Sequence, residues 1–304
     1  MAAANVPTHG KLGAMYRLRP NGFKGDGLND VTWGTFASAT DSSHFEVVID
    51  SELGGTAGVD TFKWRENGGS WTEDVDITGS SQDMVGANGT QPITFAATKT
   101  HTEDDQWTIG NLKSEPCTEA TIYAQITDTD LRLLNPNATL TWTEANNESL
   151  LVIEYCIGKA TFSGTAGATT VTGNNGYILK SGLEKVAYLI DWSLDFTLDV
   201  ADASRLGQNW KEILPGQASA NGAANGYLVL VDSFWKAIED NIDTTQDYFL
   251  LQLFSWDPDK DQSGDHFSAW VTFTSFGTGG NINEVVKEAV AFQVYGIPSF
   301  TANA

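Results

Sequence analysis

The sequence is poor in cysteine, proline and positive charge, and it contains no long apolar run. Its 304 residues include two cysteines, eight prolines and seventeen lysines and arginines, against thirty-nine aspartates and glutamates. The net charge of −22 argues against binding in a DNA groove or on an anionic membrane, because both depend on lysine and arginine. No eighteen-residue apolar stretch predicts a membrane span, and the first twenty-five residues lack the apolar core of a secretory signal.

The reactive residues give no clear catalytic or metal-binding pattern. Cys117 and Cys156 lie outside any CxxC spacing. Two reduced thiols are the favoured interpretation, with a bridge between them as the alternative. The four histidines form no zinc-site pair, and no glycine-rich loop has phosphate-binding spacing. We therefore predict no cofactor and no enzymatic activity, although neighbouring acids such as Asp104 and Asp105 leave a hydrolase as an alternative.

The residues that are abundant predict an all-β protein. Ten Trp, fifteen Phe and eight Tyr residues supply more apolar area than a disordered chain carries. In residues 191–200 every even position is apolar and every odd position polar, which is typical of a strand with one buried face. Similar runs separated by turns indicate a mostly antiparallel sandwich or barrel with one or two short helices. One helix is predicted near residues 232–242, where four apolar residues share a helical face.

Three segments are predicted along the chain. Residues 1–43 form a basic arm with the first strands, residues 44–110 an inserted or accessory β unit, and residues 111–304 the main β domain. The arm carries four positive charges before the first acidic residue, Asp26, whereas the rest of the chain is strongly acidic.

Two acidic patterns each allow two interpretations. Residues 257–265 resemble a calcium loop, because carboxylates at alternate positions can converge on a hard cation. The candidate ligands are Asp257, Asp259 and Asp261. Gln262 and Ser268 stand where such a loop has Gly and Glu, so a solvated hairpin tip is favoured over a calcium site. The polar face of the strand at 191–200 is either a solvated surface or one that repels anions.

Seven short segments follow one another in the C-terminal two-thirds of the chain. They are residues 158–162 (GKATF), 190–195 (IDWSLD), 202–216 (DASRLGQNWKEILPG), 220–222 (ANG), 226–228 (GYL), 267–275 (FSAWVTFTS) and 288–296 (EAVAFQVYG). In order and spacing they resemble the major tail tube protein of long-tailed bacteriophages. The block 44–110 contains the segments 45–50 (FEVVID), 60–64 (DTFKW), 68–71 (GGSW), 93–95 (ITF) and 99–107 (KTHTEDDQW). On these segments it resembles a small β unit inserted in many phage structural proteins, with Thr100 where that unit usually has Gly.

This resemblance implies a structural virion protein with a tail-tube-like β-barrel. Six copies would form a ring, each lending strands to one inner barrel, and the rings would stack into a hollow tail tube that conducts DNA. The implied partners are other copies, the tape measure, tail-tip and terminator proteins, and DNA that passes without specific binding. The implied location is the virion tail, with assembly in the host cytoplasm. The alternative is an adhesive or glycan-binding β protein, which the many Trp residues would suit.

The resemblance also suggests roles for two sets of charged residues. The candidates for the tube lumen, where acids would repel DNA phosphates, are Asp191, Asp195 and Asp199. The candidates for contact between rings are Lys11, Arg17, Arg19 and Lys24 of the basic arm and Asp257, Asp259, Asp261 and Asp265 of the acidic tip.

Overall fold

The computed structural model describes most of the chain as β-structure. The described residues are 13–25, 27–118, 121–123, 132–143, 150–157, 159–162, 170–179, 182–202, 213–227, 248–254, 266–279 and 287–301. They form twenty strands, which in chain order are β1 (Gly13–Leu18), β2 (Phe23–Lys24), β3 (Val31–Trp33), β4 (Ser43–Ser51), β5 (Thr61–Glu66), β6 (Thr72–Asp76), β7 (Gln82–Val85), β8 (Thr90–Phe95), β9 (Gln106–Thr118), β10 (Thr121–Tyr123), β11 (Arg132–Leu134), β12 (Thr141–Thr143), β13 (Leu150–Glu154), β14 (Lys159–Phe162), β15 (Thr170–Leu179), β16 (Glu184–Asp202), β17 (Ile213–Tyr227), β18 (Tyr248–Phe254), β19 (His266–Gly279) and β20 (Lys287–Thr301).

The predicted all-β class is confirmed. Besides the strands, the described residues contain three single 3-10 turns, at Pro20–Gly22, Thr56–Gly58 and Tyr155–Ile157. The helix predicted near residues 232–242 lies outside the described residues. Within the part of the chain that is described, no helix is long and apolar enough to cross a membrane.

The chain divides into two compact units. The barrel unit comprises Met1–Tyr16 with Lys185–Ala304, and the sheet unit comprises Arg17–Glu184. These limits differ from those predicted after residues 43 and 110. The reason is β9, which runs through residue 110 without interruption, pairing with β4 on one side and with β15 on the other.

The barrel unit is built on a closed six-stranded barrel in the order β1, β16, β17, β20, β19, β18. The pairs of β16 with β17, β17 with β20, β20 with β19 and β19 with β18 are antiparallel. Its buried core consists of Met15, Leu189, Ala224, Phe249, Leu251, Leu253, Ala269, Val271, Val290 and Phe292. Side chains from all six strands therefore fill the barrel, as expected for a barrel of this size.

The sheet unit contains an eleven-stranded sheet and a three-stranded sheet. The long path of the large sheet runs β13, β14, β10, β9, β4, β5, β6, and the small sheet has the order β3, β8, β7. Apolar residues of both sheets share one core, in which Phe45 and Trp107 of the large sheet and Ile93 and Phe95 of the small sheet are fully buried. This arrangement is a β-sandwich.

Candidate functional site

One face of the barrel is open to solvent. It is the outer face of β16, β17 and β20 with part of β19, and the strand register arranges its residues in three rows. The rows are Asp191, Asn225, Ala289 and Gly277; Ser193, Ala223, Ala291 and Ser275; and Asp195, Asn221, Gln293 and Thr272.

The chemistry of this outer face is uniform. All twelve residues are exposed or half-buried, and all are small or polar. Asp191 and Asp195 carry the only charges in the three rows, and no lysine or arginine stands among them. The face is therefore hydrophilic and weakly negative, and it offers no cationic side chain to an anion such as DNA phosphate.

The predicted lumen candidates are only partly brought together. Asp191 and Asp195 are exposed on the same face of β16, as the period-two pattern predicted. Asp199 lies on the same strand, but the pairing with β17 shifts register between Leu198 and Val200. Asp199 thus falls at an irregularity of the ladder rather than in a regular row.

The opposite face of β16 extends past the barrel core. Trp192 and Leu194 pack against that core. Phe196 and Leu198 continue the same face, yet they are 62% and 52% exposed. The sequence predicted that all the even positions would be buried, and for these two the prediction is wrong, because β20 does not reach this part of the hairpin.

Among the described strands, two edges are open at this end of the barrel. β17 pairs with β20 only from Asn221 to Tyr227, although it pairs with β16 from Ile213 onward. Beyond Gln293, β20 pairs with β19 alone among the described strands. Exposed apolar side chains next to unpaired backbone groups form a template for pairing with another chain.

The basic arm is less accessible than its sequence suggested. Arg17 and Arg19 are only 3% and 9% exposed, and Arg19 donates a hydrogen bond to the carbonyl of Gly25. Lys24 is exposed, and Lys11 lies outside the described residues. The two arginines are thus built into the folded chain and do not project as a free cationic surface.

The acidic tip, residues 257–265, lies outside the described residues. It includes the candidate inter-ring acids and the candidate calcium ligands. Within the described part, no group of three or more His, Cys, Asp or Glu side chains is arranged to hold a metal ion.

The sheet unit contains a buried cluster of His101, Asp30 and Asp60 that the sequence did not predict. The imidazole of His101 has its Nδ1 3.0 Å from Asp60 Oδ2 and its Nε2 3.1 Å from Asp30 Oδ1. Burial alone would raise the pKa of Asp60, but the N–H groups of Leu53 and His101 and the His101 imidazole outweigh it and hold that pKa below its usual value. Forty-one and seventy-one residues separate His101 from its two partners, so no local pattern reveals the cluster.

No protein-family model matches the sequence, and no curated protein does. Among solved structures, a chain in the tail of an empty gene transfer agent particle with C6 symmetry is 24% identical, with a TM-score of 0.32, covering 40% of this chain and 89% of that one. A chain in the virion of a native gene transfer agent particle is 25% identical, with a TM-score of 0.32, covering 41% and 92%. A chain of the SPP1 tail tube is 17% identical, with a TM-score of 0.27, covering 36% and 63%. This chain is similar to proteins of phage-type tails.

Proposed function

We propose that this protein is a structural subunit of a phage-type tail tube. Copies would form rings of six, the number that the resemblance to tail tube proteins implies, and the rings would stack into a hollow tube for DNA. The observation that carries the proposal is the exposed barrel face, with two aspartates and no cation in its three rows. Turned toward a central channel, this face repels phosphate and lets a duplex slide without sticking.

The open edges supply a means of self-assembly. Each copy has two incompletely paired strands, β17 and β20, next to the exposed side chains of Phe196 and Leu198. Pairing between copies would satisfy the backbone groups and cover the apolar side chains. Repeated head to tail, such contacts close into a ring and remove the free edges.

The remaining roles follow from that assembly. The tube would be part of the virion tail, assembled in the host cytoplasm with tape measure, tail-tip and terminator proteins as partners. The subunit would act by shape and charge rather than by catalysis, and it would need no cofactor. The exposed Lys24 and the acidic residues 257–265 remain candidates for contact between stacked rings.

The adhesive alternative requires an exposed aromatic platform. Six of the ten Trp side chains are described, and none of the six is exposed. The Trp71 ring is approached by Arg65 at 4.4 Å and by Lys63 at 5.5 Å. These observations favour the tube over a glycan-binding surface.

Electron microscopy of the purified full chain across a salt series tests the proposal. The charge of −22 makes copies repel one another, so rings or hollow tubes of uniform bore should become more abundant as salt screens that repulsion. The double variant Phe196→Lys, Leu198→Lys should stay folded, because both side chains are exposed, but it should not assemble. A protein that stays monomeric at every salt concentration, even with preformed tail tips added as nuclei, would contradict the proposal.

A further inference from the structure

The His101 side chain is fully enclosed in the sheet unit. The side chain has no exposed area, and Asp60 and Asp30 are 1% and 10% exposed. The backbone N–H of His101 also donates to Asp60 Oδ2, at 3.0 Å. The rings of Phe95 and Trp107 stand edge-on to the imidazole, with centroids at 5.3 and 6.2 Å.

The ring of His101 is placed so that both of its nitrogens can donate a hydrogen bond. A neutral imidazole has one N–H donor and one lone pair, whereas an imidazolium has two donors. Both ring nitrogens of His101 face a carboxylate oxygen at hydrogen-bonding distance. Only the imidazolium can donate to both, and a neutral ring would point a lone pair at one of the carboxylates.

The cluster ties together three segments that are distant in sequence. Asp30 precedes β3, and its Oδ2 accepts a hydrogen bond from Ala97 N at 2.6 Å. Asp60 precedes β5, and its Oδ1 accepts one from Leu53 N at 2.9 Å. Leu53 has a φ of +54°, which is unfavourable for a leucine, and its apolar side chain is 58% exposed. The hydrogen bond to Asp60 therefore helps to stabilise Leu53 in this conformation.

We propose that His101 is a pH-dependent lock on the loops of the sheet unit, closed when the imidazole is protonated and opened when it loses that proton. Opening removes one of the two ionic hydrogen bonds and leaves a buried carboxylate facing a lone pair, which is costly away from water. The loop that presents Leu53 and the loop that carries His101 should then loosen together. This inference concerns the sheet unit and does not depend on the tail-tube function.

Two titratable groups face the ring of His101 at hydrogen-bonding distance. They are Asp30, from the segment before β3, and Asp60, from the segment before β5. From β8 and β9 it meets the rings of Phe95 and Trp107. The carboxylate of Asp105, four residues along the chain, accepts hydrogen bonds from the backbone N–H groups of Gly27 and Thr102.

Nitrogen NMR of the full chain, with ¹⁵N in the histidine rings, tests the lock directly. Signals are assigned with His101→Gln and with the matched control His44→Gln, which removes the other buried histidine of the sheet unit, 4% exposed. In the closed state both ring nitrogens of His101 should carry a proton. A ring that stays neutral at every pH at which the protein is folded would overturn the proposal.

Hydrogen exchange of the same samples tests the consequence. As the His101 ring titrates, the protection factors of the Leu53 and His101 amides should fall by about tenfold, after correction for the intrinsic pH dependence of exchange. His44→Gln should show the same step, and His101→Gln should lack it. Protection that stays constant while the ring loses its proton would show that the cluster is structural only.

Discussion

The ring of Phe292 lies directly against the backbone of Gly222 inside the barrel. A Cβ atom added at position 222 would stand 2.4 Å from Phe292 Cζ and 2.4 Å from the carbonyl oxygen of Ser193. In the register of the sheet, Gly222 is flanked by Leu194 on β16 and Phe292 on β20. Glycine at this position therefore lets Phe292, 1% exposed, fill the core beneath the open face.

Gly222→Ala should lower the free energy of unfolding by about 1–3 kcal/mol, the usual cost of overpacking a core. The matched control is Gly277→Ala, since a Cβ at 277 would meet nothing within 4 Å. The control should change stability by no more than about 0.5 kcal/mol. Urea unfolding followed by tryptophan fluorescence measures both variants, and equal losses would show that Phe292 can move aside.

The charge of the open face can be reversed without disturbing the core, because Asp191 and Asp195 are exposed. We expect Asp191→Lys, Asp195→Lys to assemble but to hold DNA that the wild-type tube does not hold. Binding should weaken with salt, with a slope of log K against log[salt] of about −0.9 for each phosphate contacted.

Co-sedimentation of assembled tubes with short duplex DNA across a salt series measures that binding. The control is Asp83→Lys, which reverses an exposed charge on β7 of the sheet unit. If the control retained as much DNA as the double variant, DNA binding would not depend on placing the new charges on the barrel face. Under the proposed function, replacing Asp191, Asp195 and Asp199 with Asn in particles that carry this subunit should slow genome ejection. Unchanged ejection would argue against a lumen position for the three residues.

Local alternation was enough to predict β16 and its polar face, because a period of two depends only on neighbouring residues. The same reasoning failed at Phe196 and Leu198, whose exposure depends on where β20 stops pairing. Closure of the barrel by β1 could not be predicted from the sequence either. Gly13 of β1 packs beside Leu189 and Gln252, which are more than 170 residues away along the chain. Long-range pairing of this kind leaves no periodic signal in the sequence.

The charged residues show the same limit. The positive run that includes Arg17 and Arg19 suggested a solvated arm, yet both guanidinium groups are built into the fold. The separation of Asp30, Asp60 and His101 along the chain hid a buried ionic cluster. Charge can be counted from a sequence, but its burial depends on tertiary contacts.

The pair of Glu46 and Arg65 should make the sheet unit sensitive to acid. Arg65 donates to both carboxylate oxygens of Glu46, at 3.0 and 2.7 Å, and His44 Nε2 lies 3.6 Å away. Burial raises the pKa of Glu46, but the hydrogen bonds and charges of His44 and Arg65 outweigh it and hold the pKa below 4.5. The stabilisation is therefore present at neutral pH and is lost as pH falls through that lowered pKa.

Glu46→Gln should cost about 1 kcal/mol at neutral pH and should flatten the fall in stability as the pH drops below 4.5. Urea unfolding at a series of pH values measures this, with Glu73→Gln, an exposed position on β6, as control. If the wild type and Glu46→Gln lost stability in parallel across that range, the acid sensitivity would have to arise elsewhere.

The residue before His101 should be a site of stored backbone strain. Thr100 has a φ of +80°, a conformation that is unfavourable for a β-branched residue and free of steric cost for glycine. Thr100→Gly should therefore raise the free energy of unfolding by about 1 kcal/mol, even after the entropy that glycine adds to the unfolded chain.

The matched control for that variant is Thr98→Gly, because Thr98 in the same loop has no positive φ. The control should lose about 0.5–1 kcal/mol, since it gains flexibility without relieving strain. Urea unfolding of both variants gives the comparison. A loss of stability in Thr100→Gly as large as that in Thr98→Gly would mean that contacts of the Thr100 side chain outweigh the strain.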